Sequence, residues 1–237
     1  MSSHSVPRLT FPLPGVWQFL RPPGHHPNAF DFVQVGKDGR MHEASRMRGL
    51  GSGVPSSAFH CWGQTVLSPI DGTVLRCAGD WPDHETNSLW TTIGRWCEAT
   101  YRFRPREIDG ELDIRPNAGN FVMIEAPAGF IVFVAHLMAG SVRVRAGQAV
   151  SVGDPLGRVG NSGNSTAPHL HMNLFDQMSE PYAAKVLPFV FDTFEARSSD
   201  GAWRTQRDSL PALKALVRST SPLSHRGWAD AERPRVA

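Results

Sequence analysis

The chain has 237 residues, of which 41% are hydrophobic and 19% charged, and its net charge is +2. That length and apolar content can bury one large core, and the thin charge excludes a strong electrostatic nucleic-acid binder as the default. Cys61, Cys77 and Cys97 show no Cys-x-x-Cys spacing, which excludes a zinc ribbon or a disulfide scaffold. Three free thiols are favoured over one disulfide plus one thiol. No apolar run reaches the roughly 18 residues of a membrane-spanning helix, so no integral membrane segment is expected. Met1 to Phe11 lack the basic-then-apolar pattern of a secretory signal.

In chain order, residues 1–24 read as an irregular, proline-rich arm that holds a short strand at Val16–Phe19. Phe30–Val35 reads as a strand, and 36–58, rich in Gly, Ser and Arg, as loop. Short strands are expected at Gln64–Leu67 and Gly72–Arg76, around the turn Ser68-Pro69-Ile70-Asp71-Gly72. From about 80 to 118 the periodicity fails. Trp81, Trp90, Trp96 and Tyr101 sit among charges, which reads as an insertion of little regular structure that either lines a groove or packs down a surface excursion.

Regularity returns with a hairpin. Phe121–Glu125 and Phe130–Ala135 flank the turn Ala126-Pro127-Ala128-Gly129, and the second strand is apolar on both faces, as in the centre of a packed β domain. Val142 and Val144 alternate with Arg143 and Arg145, the pattern of a half-buried strand. Gly147, Gly153, Gly157, Gly160 and Gly163 then punctuate short strands and tight turns. The fold class expected is all-β, a mostly antiparallel open sheet or sandwich with irregular insertions. Beyond 195 an extension to 237 is expected. It would begin with a short helix capped by Ser209, with Pro211 in its first turn and Leu210, Leu213, Leu216 and Val217 on one face, and would end in a flexible tail from Ser219.

The densest signal is Asn161-Ser-Gly-Asn-Ser-Thr-Ala-Pro-His-Leu-His-Met-Asn-Leu-Phe175. On a strand, residues two apart share a face, so His169 and His171 point one way while Leu170, Met172 and Leu174 point the other. Two imidazoles aimed into one space suit a metal site with or without a neighbouring base; two ordinary histidines on a solvated face are the plain alternative. Three partners stand elsewhere. His136 follows the apolar strand directly. Asp31 lies inside Ala29-Phe30-Asp31-Phe32-Val33, where an unpaired carboxylate would be costly, and His25-His26 precede it.

These residues resemble the lysostaphin-type zinc endopeptidases, which cleave peptide bonds in bacterial peptidoglycan. The matching run begins near Ser68-Pro69-Ile70-Asp71-Gly72-Thr73-Val74, resumes at Gly119–Ile124 and passes through His136-Leu137, then Val142 to Gly163, to Pro168-His169-Leu170-His171. The resemblance implies Zn2+ held by His171, Asp31 and an upstream histidine, with His136 and His169 as non-ligand catalytic histidines. It implies an open, mostly antiparallel β domain over residues 25–195, a peptidoglycan or other peptide substrate and no nucleic-acid partner, and a periplasmic or extracellular setting.

The departure from the family lies at the first ligand. Members commonly place it four positions before the aspartate, but here His25 lies six and His26 five before Asp31. An even separation keeps two side chains on one face of an extended segment, so His25 is preferred while His26 stays open. His42, His60 and His84 are weaker candidates, far from Asp31 in sequence. The rival function is a catalytically inactive relative that binds a partner through the same groove.

Overall fold

The computed structural model describes residues 6–44, 53–97, 106–108, 111–178 and 183–220. Its strands are β1 (Arg8–Leu9), β2 (Val16–Leu20), β3 (Phe30–Val33), β4 (Val54–Pro55), β5 (Thr65–Leu67), β6 (Gly72–Ala78), β7 (Thr86–Asn87), β8 (Arg106–Ile108) and β9 (Glu111–Asp113). They continue with β10 (Asn120–Glu125), β11 (Ile131–Leu137), β12 (Ala149–Val150), β13 (Pro155–Arg158), β14 (Leu170–Phe175), β15 (Val186–Leu187), β16 (Val190–Arg197), β17 (Trp203–Ser209) and β18 (Leu216–Arg218). Two helices, α1 (Leu89–Cys97) and the single turn α2 (Arg115–Ala118), lie in the stretch between β7 and β10. Among the described residues, no helix is long and apolar enough to cross a membrane.

Twelve strands form one sheet in the order β1-β16-β18-β2-β3-β14-β11-β10-β6-β12, with β15 on β14 and β17 on β16. The chain is mostly β, and this sheet is antiparallel throughout except where β1 joins β16. The expected hairpin is β10 and β11, with Val122 opposite Val134.

Period-2 alternation sorts the central strands onto two faces. Phe30 and Phe32 of β3, Val122 and Ile124 of β10, Val132 and Val134 of β11, and Leu170, Met172 and Leu174 of β14 join the main core. Each fully buried side chain of this kind contributes about 1.5–3 kcal/mol. On the other face Phe121, Met123, Ile131, Phe133 and Ala135 make a smaller cluster. Asp31 and His171 stand on that second face, between their core-facing neighbours.

Four expectations are corrected. The first residues are not irregular throughout: β1 and β2 belong to the main sheet, and Leu9, Phe11 and Leu13 are fully buried. The 80–118 stretch holds the nine-residue helix α1, opened by Ser88, whose Oγ accepts from Thr91 N–H (3.3 Å) and whose C=O accepts from Thr92 N–H (2.9 Å). Residues 142–145 form no strand. Arg143 N–H bonds to Leu156 O and Cys77 Sγ to Val144 O, so these residues are tied by scattered bonds and not by a ladder.

The C-terminal helix is absent. Ser209 Oγ is buried without a partner and caps nothing, Lys214 takes a positive φ of 68°, and Leu216–Arg218 become β18. Val217 pairs with Trp17 at no exposure, so sheet pairing and burial outweigh the helical spacing of the leucines. Of the tail expected from Ser219, the residues beyond 220 lie outside the described ones. Cys61, Cys77 and Cys97 are free.

Candidate metal and catalytic centre

Register builds the first half of the site. β14 lies between β3 and β11, and His171 is paired with Asp31 on one side and Ala135 on the other. Asp31 is 4% exposed. Its Oδ1 lies 2.9 Å from His171 Nδ1, and its Oδ2 lies 3.4 Å from both His25 Nε2 and His169 Nε2. Burial pushes the Asp31 carboxyl up, but the surrounding imidazoles, His169 first and then His171 and His25, outweigh it and hold the carboxyl well below its usual range.

Turns and strand ends build the second half. His25 reaches Asp31 from a turn. Its N–H bonds to Pro22 O (3.2 Å), and a second turn closes where Ala29 N–H bonds to His26 O (2.9 Å). The segment is therefore not extended, and the parity argument does not describe it. The turn nevertheless brings His25 to the carboxylate, while exposed His26 uses Nδ1 to accept from Asn28 N–H (3.1 Å). Burial lowers the His25 pKa, yet the hydrogen bond and charge of Asp31 prevail and the net direction is upward.

His136 sits near the exit of β11 with φ +63°, a left-handed conformation uncommon for a residue with a Cβ. Its Nδ1–H donates to Ser162 O (2.9 Å). The loop that supplies this carbonyl needs its glycines. A Cβ on Gly160 would lie 2.4 Å from Met138 N, and one on Gly163 would lie 2.2 Å from Gly119 N. His169 donates from Nδ1 to Ala167 O (2.7 Å), with Ser165 Oγ 3.2 Å away. Both histidines thus carry their proton on Nδ1 and present a bare Nε2. Burial, reinforced by His169 and His171, holds His136 well below its usual pKa; burial also lowers His169 against the pull of Asp31. The rings of His136 and His169 lie 4.7 Å apart, and those of His136 and His171 lie 5.9 Å apart.

Asn173 escaped the sequence reading. It follows His171 by two positions, so the same alternation places it on the same face. His171 Nε2 lies 3.1 Å from Asn173 Oδ1 and its Nδ1 2.9 Å from Asp31 Oδ1, so both ring nitrogens face oxygen atoms while a neutral imidazole has one proton to give. The contact left without that proton is satisfied by a second proton or by a cation. With His25 as third donor the set is two imidazoles and a carboxylate, a combination that suits catalytic zinc. His25, Asp31 and His171 hold donor atoms within 4.8 Å of one another, as do His136, His169 and His171. The first trio contains the buried carboxylate, whose charge a cation would neutralise. His42, His60 and His84 lie outside both trios.

The groove over the site has a volume of about 700 Å³, with Leu112, Ile114, Met123, Phe133 and Phe175 among its walls. The 80–118 stretch therefore reaches it through aliphatic residues. Trp81 and Trp90 do not line it, Trp90 being 72% exposed, and Tyr101 lies outside the described residues.

Fold and site together define a class: an antiparallel β protein with a carboxylate and imidazole centre in a groove. Residues 109–182 match the model of peptidase family M23. Over 59 residues, 25% of this chain, it is 41% identical to the peptidoglycan DD-endopeptidase ShyA of Vibrio cholerae, and the match spans 13% of that protein. The catalytic domain of lysostaphin from Staphylococcus simulans is 15% identical, with 76% of this chain and 87% of that one covered at a TM-score of 0.38. The structure of the SpoIIQ–SpoIIIAH pore-forming complex matches at 14% identity, covering 77% and 89%, with a TM-score of 0.39. The stretch 109–182, which carries His136, His169 and His171, is thus similar to peptidase family M23.

Proposed function

We propose that the chain is a zinc-dependent endopeptidase that hydrolyses peptide bonds in peptidoglycan stem peptides or cross-bridges. The observation that carries this reading is the gathering of buried Asp31 with His25 and His171, beside a second pair of imidazoles, His136 and His169, whose bare Nε2 atoms face the same space. The catalytic unit is assigned to residues 25–195, with 80–118 as its insertion.

His25, Asp31 and His171 would hold the metal. A zinc ion supplies Lewis acidity there, polarising a scissile carbonyl and making water more acidic. The protein's own groups do the rest. With zinc bound, Asn173 Oδ1 would take the Nε2 proton of His171 and leave Nδ1 for the metal. His136 and His169, neutral because buried, can each take a proton on Nε2 from water and return it to the departing amine. The carbonyls of Ser162 and Ala167 hold the Nδ1 protons and so keep each ring in the tautomer that can act as a base. The apolar groove walls exclude water around the reacting bond.

The test is digestion of purified peptidoglycan from several sources, with and without chelator, followed by mass identification of the fragments and metal analysis of the protein. New amine and carboxyl ends that vanish with chelator and return with zinc are expected. Intact peptidoglycan from every source, with zinc bound, would favour a binding module; no zinc bound and no thermal stabilisation by added zinc would overturn the metal centre.

A further inference from the structure

The loop that carries His169 has no regular structure from Asn164 to Pro168, so its position depends on what its carbonyls bond to. Ala167 O takes the Ser165 hydroxyl (2.7 Å) and the His169 Nδ1 proton (2.7 Å). Pro168 O accepts from the buried thiol of Cys61 (3.0 Å). The carbonyls of Ser165 and Thr166 are held from outside by α1. Arg95 Nη1 donates to Ser165 O (3.0 Å) and Thr92 Oγ1 to Thr166 O (3.3 Å).

Arg95 is itself tied down. Nη1 also reaches Asn87 Oδ1 (2.9 Å) and Nη2 reaches Thr86 O (3.2 Å), so the planar fork spans β7 and the loop together. Asn87 in turn receives Asn161 Nδ2 (2.8 Å), at the start of the same loop. Ser165 is fully buried, and its hydroxyl lies 3.2 Å from His169 Nδ1. The path from Arg95 to the imidazole is therefore one residue long.

We infer that Arg95, on the helix of the 80–118 insertion, is a positioning residue for His169, acting through Ser165. The inference rests on the reading of His169 as a proton-handling group. It gives the insertion a task in catalysis: α1 clamps the loop whose end carries the imidazole. A charged donor bonds a carbonyl more strongly than a neutral one, and its loss frees the loop at the step before His169. Displacement of a reacting group by about 1 Å can cost about a hundredfold in rate.

The test compares Arg95→Ala and Arg95→Lys with the wild-type chain, each zinc-loaded and checked for folding by circular dichroism. Arg95→Ala is expected to lower kcat by roughly ten- to a hundredfold with KM and zinc content unchanged. Arg95→Lys is expected to recover part of the loss, because an ammonium still donates to Ser165 O but not as a fork. A second readout needs no turnover. Nitrogen-15 spectra of the histidine rings should show the His169 signal shifted or broadened in Arg95→Ala while His136, held by Ser162 O, stays put.

A kcat within about twofold of wild type, or equal disturbance of both rings, overturns the inference. If Arg95→Ala does not fold, Thr92→Val, which frees only Thr166 O, takes its place with the same expected ring signature. An inactive wild type whose His169 signal still moves in Arg95→Ala sinks the peptidase reading and leaves the clamp standing. An active wild type matched by an equally active Arg95→Ala does the reverse.

Discussion

Asp31 and His171 stand on adjacent strands in register, whereas His25, His136 and His169 stand on turns and strand ends. The first pair is placed by the sheet ladder and by the core behind it, where Phe30, Phe32, Leu170 and Met172 are buried. The other three are each placed by one or two bonds to loop backbone: Pro22 O for the His25 N–H, Ser162 O for His136 and Ala167 O for His169. The difference teaches where the precision of the site comes from. A ladder positions a side chain through dozens of packed atoms and changes little when one of them is altered. A loop positions it through few contacts, each of which matters more. His136 also stores local strain, in its positive φ, that only the surrounding loop can sustain.

The largest expected effects test whether both regions hold the metal. Asp31→Ala, His171→Ala and His25→Ala should each abolish zinc binding, read as metal content and as loss of the zinc-dependent rise in melting temperature. Turnover should fall by more than about ten-thousandfold, beyond the range that loss of one proton-transfer group costs. Retention of stoichiometric zinc by His25→Ala alone would show that the ladder pair binds without the turn, and would break the comparison at its weakest joint.

Next come the two loop-held imidazoles. His136→Ala and His169→Ala should keep zinc yet lose about a hundred- to ten-thousandfold in turnover, the usual worth of general acid–base groups. Full hydrolysis by His169→Ala would put the roles of the paired histidines in the wrong order. Smaller again is Asn173→Ala. It removes the oxygen that faces His171 Nε2, and zinc affinity measured by competition with a chelator should drop about ten- to a hundredfold. Asn173→Asp, which keeps the acceptor, should recover most of it.

The ladder-held region was the legible one. Alternation alone sorts His171 from Leu170 and Met172, and one more step of the same count reaches Asn173. The pairing of Asp31 with His171 was not legible, because register between segments 140 positions apart is decided by tertiary packing. The family resemblance, not the spacing, joined them. In the loop-held region, local pattern misled. His25 was favoured for a geometry the segment does not have, since it turns at Pro22 and again at His26. Helix α1 was overlooked although Leu89, Trp90, Ile93 and Cys97 recur at helical spacing, and Leu89, Trp90 and Ile93 of that stripe face solvent. At the other end of the chain Leu210, Leu213, Leu216 and Val217 do carry helical spacing, but β2 offers Val217 a ladder partner and a buried seat.

The smallest expected effect is the sharpest test of the turn. His26 neighbours His25 and lies on the groove, yet its Nδ1 accepts from Asn28 N–H within the turn and the residue belongs to neither donor trio. His26→Ala should therefore leave zinc content and kcat within about twofold of wild type and lower stability by at most about 0.5–1.5 kcal/mol, the net worth of one hydrogen bond. His26→Asn, whose short side chain can form the same turn bond, should restore that stability. The two adjacent histidines would then differ by at least two orders of magnitude in their effect on turnover, although no spacing rule in the sequence separates them. If His26→Ala instead lost zinc as fully as His25→Ala, the turn would be serving the metal through both rings, and the first ligand position would have to be reassigned to the pair.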